Sequence, residues 1–118
     1  MADQGVFIGF GFPARGREAA ALKVFQELMQ YLGQQQQNGA VEGFEPTFLQ
    51  AHGGDLGGFV VARGDRAKLD AMVTSPEFQR LMTRAEAVVD NFGVVSCTSG
   101  QEAQQQVGTF LQDINDLI

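Results

Sequence analysis

The chain opens with apolar residues at every second position, and that period defines the first element. Val6, Ile8, Phe10 and Phe12 fall on one face of a strand predicted over Val6–Phe12, with Phe7, Gly9 and Gly11 on the other. Pro13 stops the strand, and the glycine face leaves space or lets another backbone approach. The period then becomes helical. Leu22, Phe25, Leu28, Met29 and Leu32 form one stripe, with Arg17, Lys23, Glu27 and Gln30 opposite. A helix is therefore predicted over Arg17–Leu32, with Gly33 as its stop. Gln34 to Gln37 and Asn38-Gly39 read as a solvated loop or helix end.

A second strand is predicted over Val41–His52. Pro46 cannot donate to a ladder, so this strand lies at an edge or carries a bulge. Phe44, Phe48, Gln50 and His52 share one face if the period holds. The glycine-rich stretch Gly53-Gly54-Asp55-Leu56-Gly57-Gly58 then turns the chain into a third strand, Phe59–Arg63, giving an antiparallel hairpin. Asp65 reads as an N-cap, and Leu69, Met72 and Val73 as the apolar face of a short helix. Ser75-Pro76 restarts it, and Phe78, Leu81, Met82, Ala85, Val88 and Val89 continue the stripe. A fourth strand follows over Phe92–Cys97. Ser99 with Glu102 fits a capping box, and the last helix carries Val107, Phe110, Leu111, Ile114, Leu117 and Ile118 on one face.

The order β-α-β-β-α-β-α is the split βαβ plan, an α+β ferredoxin-like unit with a four-stranded antiparallel sheet and helices on one face. One domain is expected over residues 1–118, with its core in 6–98 and a C-terminal helix in 99–118. The sheet's other face would expose Phe44 and Phe48 or their alternates, according to register. An uncovered apolar face needs a cover, either a second copy of the sheet or the chain's own last helix.

Composition narrows the function classes. The net charge of −6 repels phosphate backbones and anionic lipid, so no nucleic-acid partner and no membrane surface are expected. No apolar run approaches the roughly 20 residues of a membrane span, and Met1-Ala2-Asp3-Gln4 does not resemble a signal peptide. A soluble, cytoplasmic protein is the expectation. Ten Phe and no Trp make phenylalanine the main bulky packing residue. Cys97 is the single cysteine, so no internal disulfide can form, and in Val94-Val95-Ser96-Cys97 it reads as a small buried hydrophobe.

The stretch Phe59-Val-Val-Ala-Arg-Gly-Asp65, a short helix, then Ser75-Pro-Glu-Phe-Gln79 and a longer helix carries a family likeness. Over roughly Val6 to Thr98 the chain resembles the dimeric α/β-barrel superfamily, which includes antibiotic-biosynthesis monooxygenase-like and stress-responsive barrel proteins. The likeness is one of pattern, with no diagnostic motif. It implies a homodimer closed sheet face to sheet face, with a cleft between each sheet and its helices or barrel wall. Members include cofactorless oxygenases, haem-degrading enzymes, isomerases, cyclases and proteins of unknown activity, so the fold alone does not choose a function.

The candidate chemistry is sparse. His52, the only histidine, could act as a general base or ligand, or simply sit in a turn with its ring nitrogens satisfied. Arg63 could anchor an anion or carbonyl in an apolar pocket, or stand exposed at a strand end. Tyr31 could hydrogen-bond a ligand, or serve as half-buried packing. Phe7, Phe44 and Phe48 would supply an apolar ligand wall. Gly9-Phe10-Gly11-Phe12-Pro13-Ala14 matches G-x-G-x-x-A, but Pro13 and the following hairpin contradict a dinucleotide site. Zinc lacks a ligand set, and no cofactor is expected. Glu42 and Glu45 form no catalytic pair of evident logic, and no Gly-x-Ser-x-Gly elbow occurs. Two readings follow. One is a homodimeric barrel protein that binds a small apolar or aromatic ligand. The other is a cofactor-independent monooxygenase, isomerase or cyclase acting on an aromatic or polyketide-like substrate, with His52 as base or orienting group and Arg63 as anchor. The first is preferred because so few polar residues are available for chemistry.

Overall fold

The computed structural model describes residues 2–117. Strands β1 (Gln4–Phe10), β2 (Gly43–Phe48), β3 (Gly58–Arg63) and β4 (Gly93–Thr98) form one antiparallel sheet in the order β2-β3-β1-β4. Helices α1 (Glu18–Gln37), α2 (Arg66–Val73) and α3 (Pro76–Glu86) form the crossovers, and α4 (Gly100–Asp113) follows β4. This is the ferredoxin-like α+β fold. Pro46 lies on the edge strand β2, where its missing N–H costs no central ladder bond.

Register assigns the two sheet faces. Val6, Ile8, Val60, Ala62, Leu32, Leu69 and Phe78 are fully buried between the sheet and the helices. Burying each of the larger side chains contributes about 1.5–3 kcal/mol. Phe44 and Phe48 pair with Ala62 and Gly58, so they lie on this helix-covered side. Of the two registers left open by the sequence, the observed one therefore puts their alternates on the bare face. The bare face carries Glu45, Val61, Phe7 and Val95 in one row across the four strands, and Thr47, Phe59, Gly9 and Gly93 in the next. The Phe7 and Phe59 rings stack there with centroids 5.2 Å apart.

Local signals explain most boundaries. The Asp65 carboxylate accepts from the Lys68 N–H at 3.2 Å, and the Ser75 hydroxyl from the Phe78 N–H at 3.3 Å, with Pro76 in the first turn of α3. The break near Ser75 is thus two capped helices in succession. Several boundaries differ from expectation, β1 lying two residues earlier (Gln4–Phe10) and β4 one later (Gly93–Thr98) than predicted. Helix α1 runs through Gly33 and takes up the glutamine run, ending where Gly39 supplies a φ of 82°. Strand β2 stops at Phe48, so Gln50 and His52 lie in a loop over 49–57. At α4, Ser99 makes no side-chain cap. The Asp3 carboxylate accepts from the Glu102 N–H at 3.2 Å instead, and the Glu102 carboxylate accepts from the Gln4 amide. The capping group comes from the far end of the chain, which local spacing does not reveal.

Helix α4 has no buried residue. Its apolar stripe, Val107, Phe110 and Leu111, is 54–60% exposed, and Leu117 beyond it is 78% exposed. Ile118, placed on the same stripe by its spacing, lies outside the described residues. The last helix therefore leaves its own sheet's bare face uncovered.

Candidate functional site

At the end of the sheet where β1 finishes, the two layers diverge. Main-chain hydrogen bonds tie the segments together there. Gly11 donates to the Asp90 carbonyl at 2.8 Å, Asp90 to that of Phe12 at 2.9 Å, and Gly57 to that of Phe10 at 2.8 Å. Gly11 and Gly57 are required by space: a Cβ on Gly11 would lie 2.6 Å from the Asp90 oxygen, and one on Gly57 2.5 Å from the Gly11 oxygen. That close approach accounts for Gly11 in the G-x-G-x-x-A match.

Beside this junction lies a groove of about 440 Å³ between the sheet and helices α1 and α3. Phe10 and Phe48 form the sheet wall, Leu22, Phe25 and Leu28 the α1 wall, and Leu81, Met82 and Ala85 the α3 wall. Phe12, Val88, Val89 and Phe92 complete it. Phe10, Phe25 and Phe48 form an aromatic triangle, with ring centroids 5.4–6.2 Å apart and tilted or edge-on planes. Phe12, Leu22, Phe48 and Leu49 remain exposed at its mouth. The one ionisable lining group is Glu18, in the first turn of α1, whose carboxylate accepts from the Gly16 N–H at 3.2 Å. Chemically, the groove can hold a small apolar body and present the Glu18 carboxylate to it.

The residues anticipated for a site are dispersed. Phe48 lines the groove, whereas Phe44 packs against the core and Phe7 stands on the opposite sheet face. The three phenylalanines therefore do not form one wall. Tyr31 is buried among core residues, its ring 6.2 Å from that of Phe78, and its hydroxyl lies 3.4 Å from that of Ser75. His52 is clipped into its own loop. Nδ1 accepts from the Gly54 N–H at 3.2 Å, which leaves Nε2 to donate to the Leu56 carbonyl at 2.9 Å. Arg63 lies at the other end of β3, about 17 Å along the strand at 3.3 Å per residue, and donates to the Ser99 hydroxyl at 2.6 Å. Neither His52 nor Arg63 lines the groove.

Spacing alone did not single out Phe10, Phe25, Leu22 or Glu18. A signal was available in α1. Its buried positions are Ala21, Val24, Leu28, Tyr31 and Leu32, so Leu22 and Phe25 are offset to one side of the true core face. Among the described residues no group of three or more His, Cys, Asp or Glu is placed to hold a metal ion, and no helix is long and apolar enough to cross a membrane.

No family model matches the chain, and no curated protein matches it in sequence. Solved structures of ferredoxin-like proteins do resemble it. One is SnoaB, a cofactor-independent oxygenase from Streptomyces nogalater, with 20% identity and a TM-score of 0.57 over 85% of this chain and 96% of that one. Another is a dimeric ferredoxin-like protein of unknown function from a Jannaschia species, with 20% identity and a TM-score of 0.61 over 81% of this chain and 99% of that one. A third is a dabb family protein with a ferredoxin-like fold from Mesorhizobium loti, with 13% identity and a TM-score of 0.63 over 82% of this chain and 97% of that one. At these identities the likeness establishes the fold.

Proposed function

We propose that the protein works as a homodimer joined through its bare sheet face, and that each subunit holds a small apolar or aromatic ligand in the groove. The observation that carries this reading is the groove: about 440 Å³, walled by phenylalanine and aliphatic side chains, with Glu18 as its one ionisable lining group. Small-molecule sites occupy roughly 300–1,000 Å³ and share this make-up, mostly apolar with few polar anchors. Support for the dimer comes from the apolar bare-face residues Val61, Phe7 and Val95, with Gly9 and Gly93 in the next row, and from the dimeric Jannaschia protein of the same fold.

Titration with a hydroxylated anthraquinone, followed by its absorbance, tests ligand binding. Leu22 is exposed on the groove wall, so Leu22→Asp leaves folding intact and sets an unpaired carboxylate against the ligand. Affinity is expected to fall about tenfold or more. Equal binding by both proteins, or none by the wild type, counts against the groove. Sedimentation at twice the chain mass is expected for the dimer.

The alternative is a cofactor-independent monooxygenase, isomerase or cyclase on an aromatic or polyketide-like substrate, and the fold likeness to SnoaB favours it. In this reading Glu18 takes a proton from an acidic C–H or phenolic O–H held in the groove. Oxygen uptake and product absorbance with a hydroxyanthrone test it. Glu18→Gln is expected to lose turnover while His52→Ala and Arg63→Ala keep it; the reverse pattern would return the chemistry to His52 and Arg63.

A further inference from the structure

Helix α4 and the groove mouth are unpartnered apolar surfaces of one chain. The helix spans about 21 Å at 1.5 Å per residue. Polar bonds tie its first two turns to the body: Asp3 to the Glu102 N–H, Gln4 to the Glu102 side chain, and Gln106 to the Thr98 hydroxyl at 3.2 Å. Beyond them Val107, Phe110, Leu111 and Leu117 stand exposed. A helix this short is marginal by itself in water, so a packed partner would account for its persistence.

We propose that α4 of one copy closes the groove mouth of a second copy. The inference rests on the dimer reading above. Three observations select this occupant. The mouth presents Phe12, Leu22, Phe48 and Leu49, an apolar rim able to receive a helical stripe. Charge matches as well. Residues 100–117 contain Glu102, Asp113 and Asp116 and no base. In sequence, Arg15 and Arg17 lie between the lining residues Pro13 and Glu18; both are exposed and without an ion pair among the described residues, and with the Glu18 carboxylate they leave this stretch with a net positive charge. Finally, α4 springs from the sheet end where β4 finishes, whereas the mouth lies at the end where β1 finishes. A two-fold axis lying across the strands stacks the bare faces and reverses their ends. The arm of each copy then starts at the same end of the dimer as the other's mouth, and the helix must reach round that copy's sheet to close it. The site is completed only in the dimer, and the ligand lies beneath a helix supplied by the neighbour.

Mixed dimers test this. One chain carries Cys97→Ser and Leu111→Cys with a nitroxide on the new thiol; the other is isotopically labelled wild type. Leu111 is 54% exposed, so the substitution leaves the body folded. Sedimentation is run first. In a dimer, broadening of the amide signals of Phe12, Leu22 and Phe48 in the unmodified chain supports the proposal. A dimer in which those signals stay sharp overturns it and leaves the sheet-to-sheet dimer standing. A monomer overturns both. Independently, Phe110→Asp is expected to weaken the dimer about tenfold or more, because it would bury an unpaired carboxylate. An unchanged dissociation constant again refutes the docked helix.

Discussion

Replacing Gly11 by alanine tests the backbone junction that shapes the groove. Gly11 is buried, and its φ is not positive, so alanine can adopt its backbone conformation. The cost is spatial. The added Cβ would meet the Asp90 carbonyl oxygen at 2.6 Å and that of Asp55 at 2.9 Å, both rigid backbone atoms. Ordinary contact begins near 3.4 Å, so the segments must part by about 0.8 Å on the Asp90 side. That movement stretches the bond from Gly11 to Asp90 and disturbs the neighbouring bond from Gly57 to Phe10, both 2.8 Å long. Each contributes about 1 kcal/mol net, and overpacking adds about 1–3 kcal/mol. Allowing for partial relaxation, Gly11→Ala is expected to lose about 2–4 kcal/mol and to melt about 10 °C lower. Urea unfolding followed by far-ultraviolet circular dichroism, at one fixed protein concentration, measures the loss. Gly33→Ala, within α1 and away from the bare face, is the control: its Cβ would meet nothing within 4 Å, and removing a helix glycine stabilises by up to about 1 kcal/mol. If Gly11→Ala unfolds within about 0.5 kcal/mol of wild type, the junction yields freely and the packing argument is wrong.

Ser75→Ala removes the cap of α3 and the hydroxyl's 2.7 Å bond to the Met72 carbonyl, and is expected to cost about 1 kcal/mol in the same urea assay; no loss would mean that Pro76 alone starts the helix. Arg84 donates twice to Glu27 at 2.9 Å, and this holds the Glu27 carboxyl below its ordinary value of 4.5. A lowered folded pKa stabilises fully above about 4.5, and the contribution fades as pH drops through the folded value. The stability gap between wild type and Glu27→Gln should therefore shrink on acidification, and a gap constant from neutral pH to about pH 3 would contradict the pairing. Asp3→Ala should speed hydrogen exchange in the first turn of α4 while leaving β1 and β3 protected; unchanged exchange at Glu102 would show that the borrowed cap is idle.

Much of the fold was legible because its signals are local. Asp65, Ser75-Pro76 and Pro46 act within a few residues of themselves, and each sits where its chemistry demands. The stripe on α3 needed only helical spacing, whereas on α1 the spacing put Leu22 and Phe25 on the core face, where Ala21, Val24 and Tyr31 are buried instead. What was not legible depends on distant partners. The face of Phe44 follows from its pairing with Ala62, and the cap of α4 comes from Asp3. His52 looked available for chemistry because a sequence cannot show that Gly54 and Leu56 occupy its ring nitrogens. The groove emerged from divergence of the layers beside Gly11, where Phe10 and Phe25 read as ordinary core residues.

The pairing of Gln4 with Thr98, and the 2.8 Å bond from Ser99 to the Asp3 carbonyl, place the chain's way in beside its way out at one corner. The groove opens a full strand length away, about 20 Å for the seven residues of β1. A tether fixed ahead of Asp3 would therefore crowd the last helix while leaving the groove unobstructed. Surface-immobilised protein attached this way should pair with a second copy less readily than protein held through the exposed side of α3 and, without the neighbour's helix over its groove, should hold ligand more weakly.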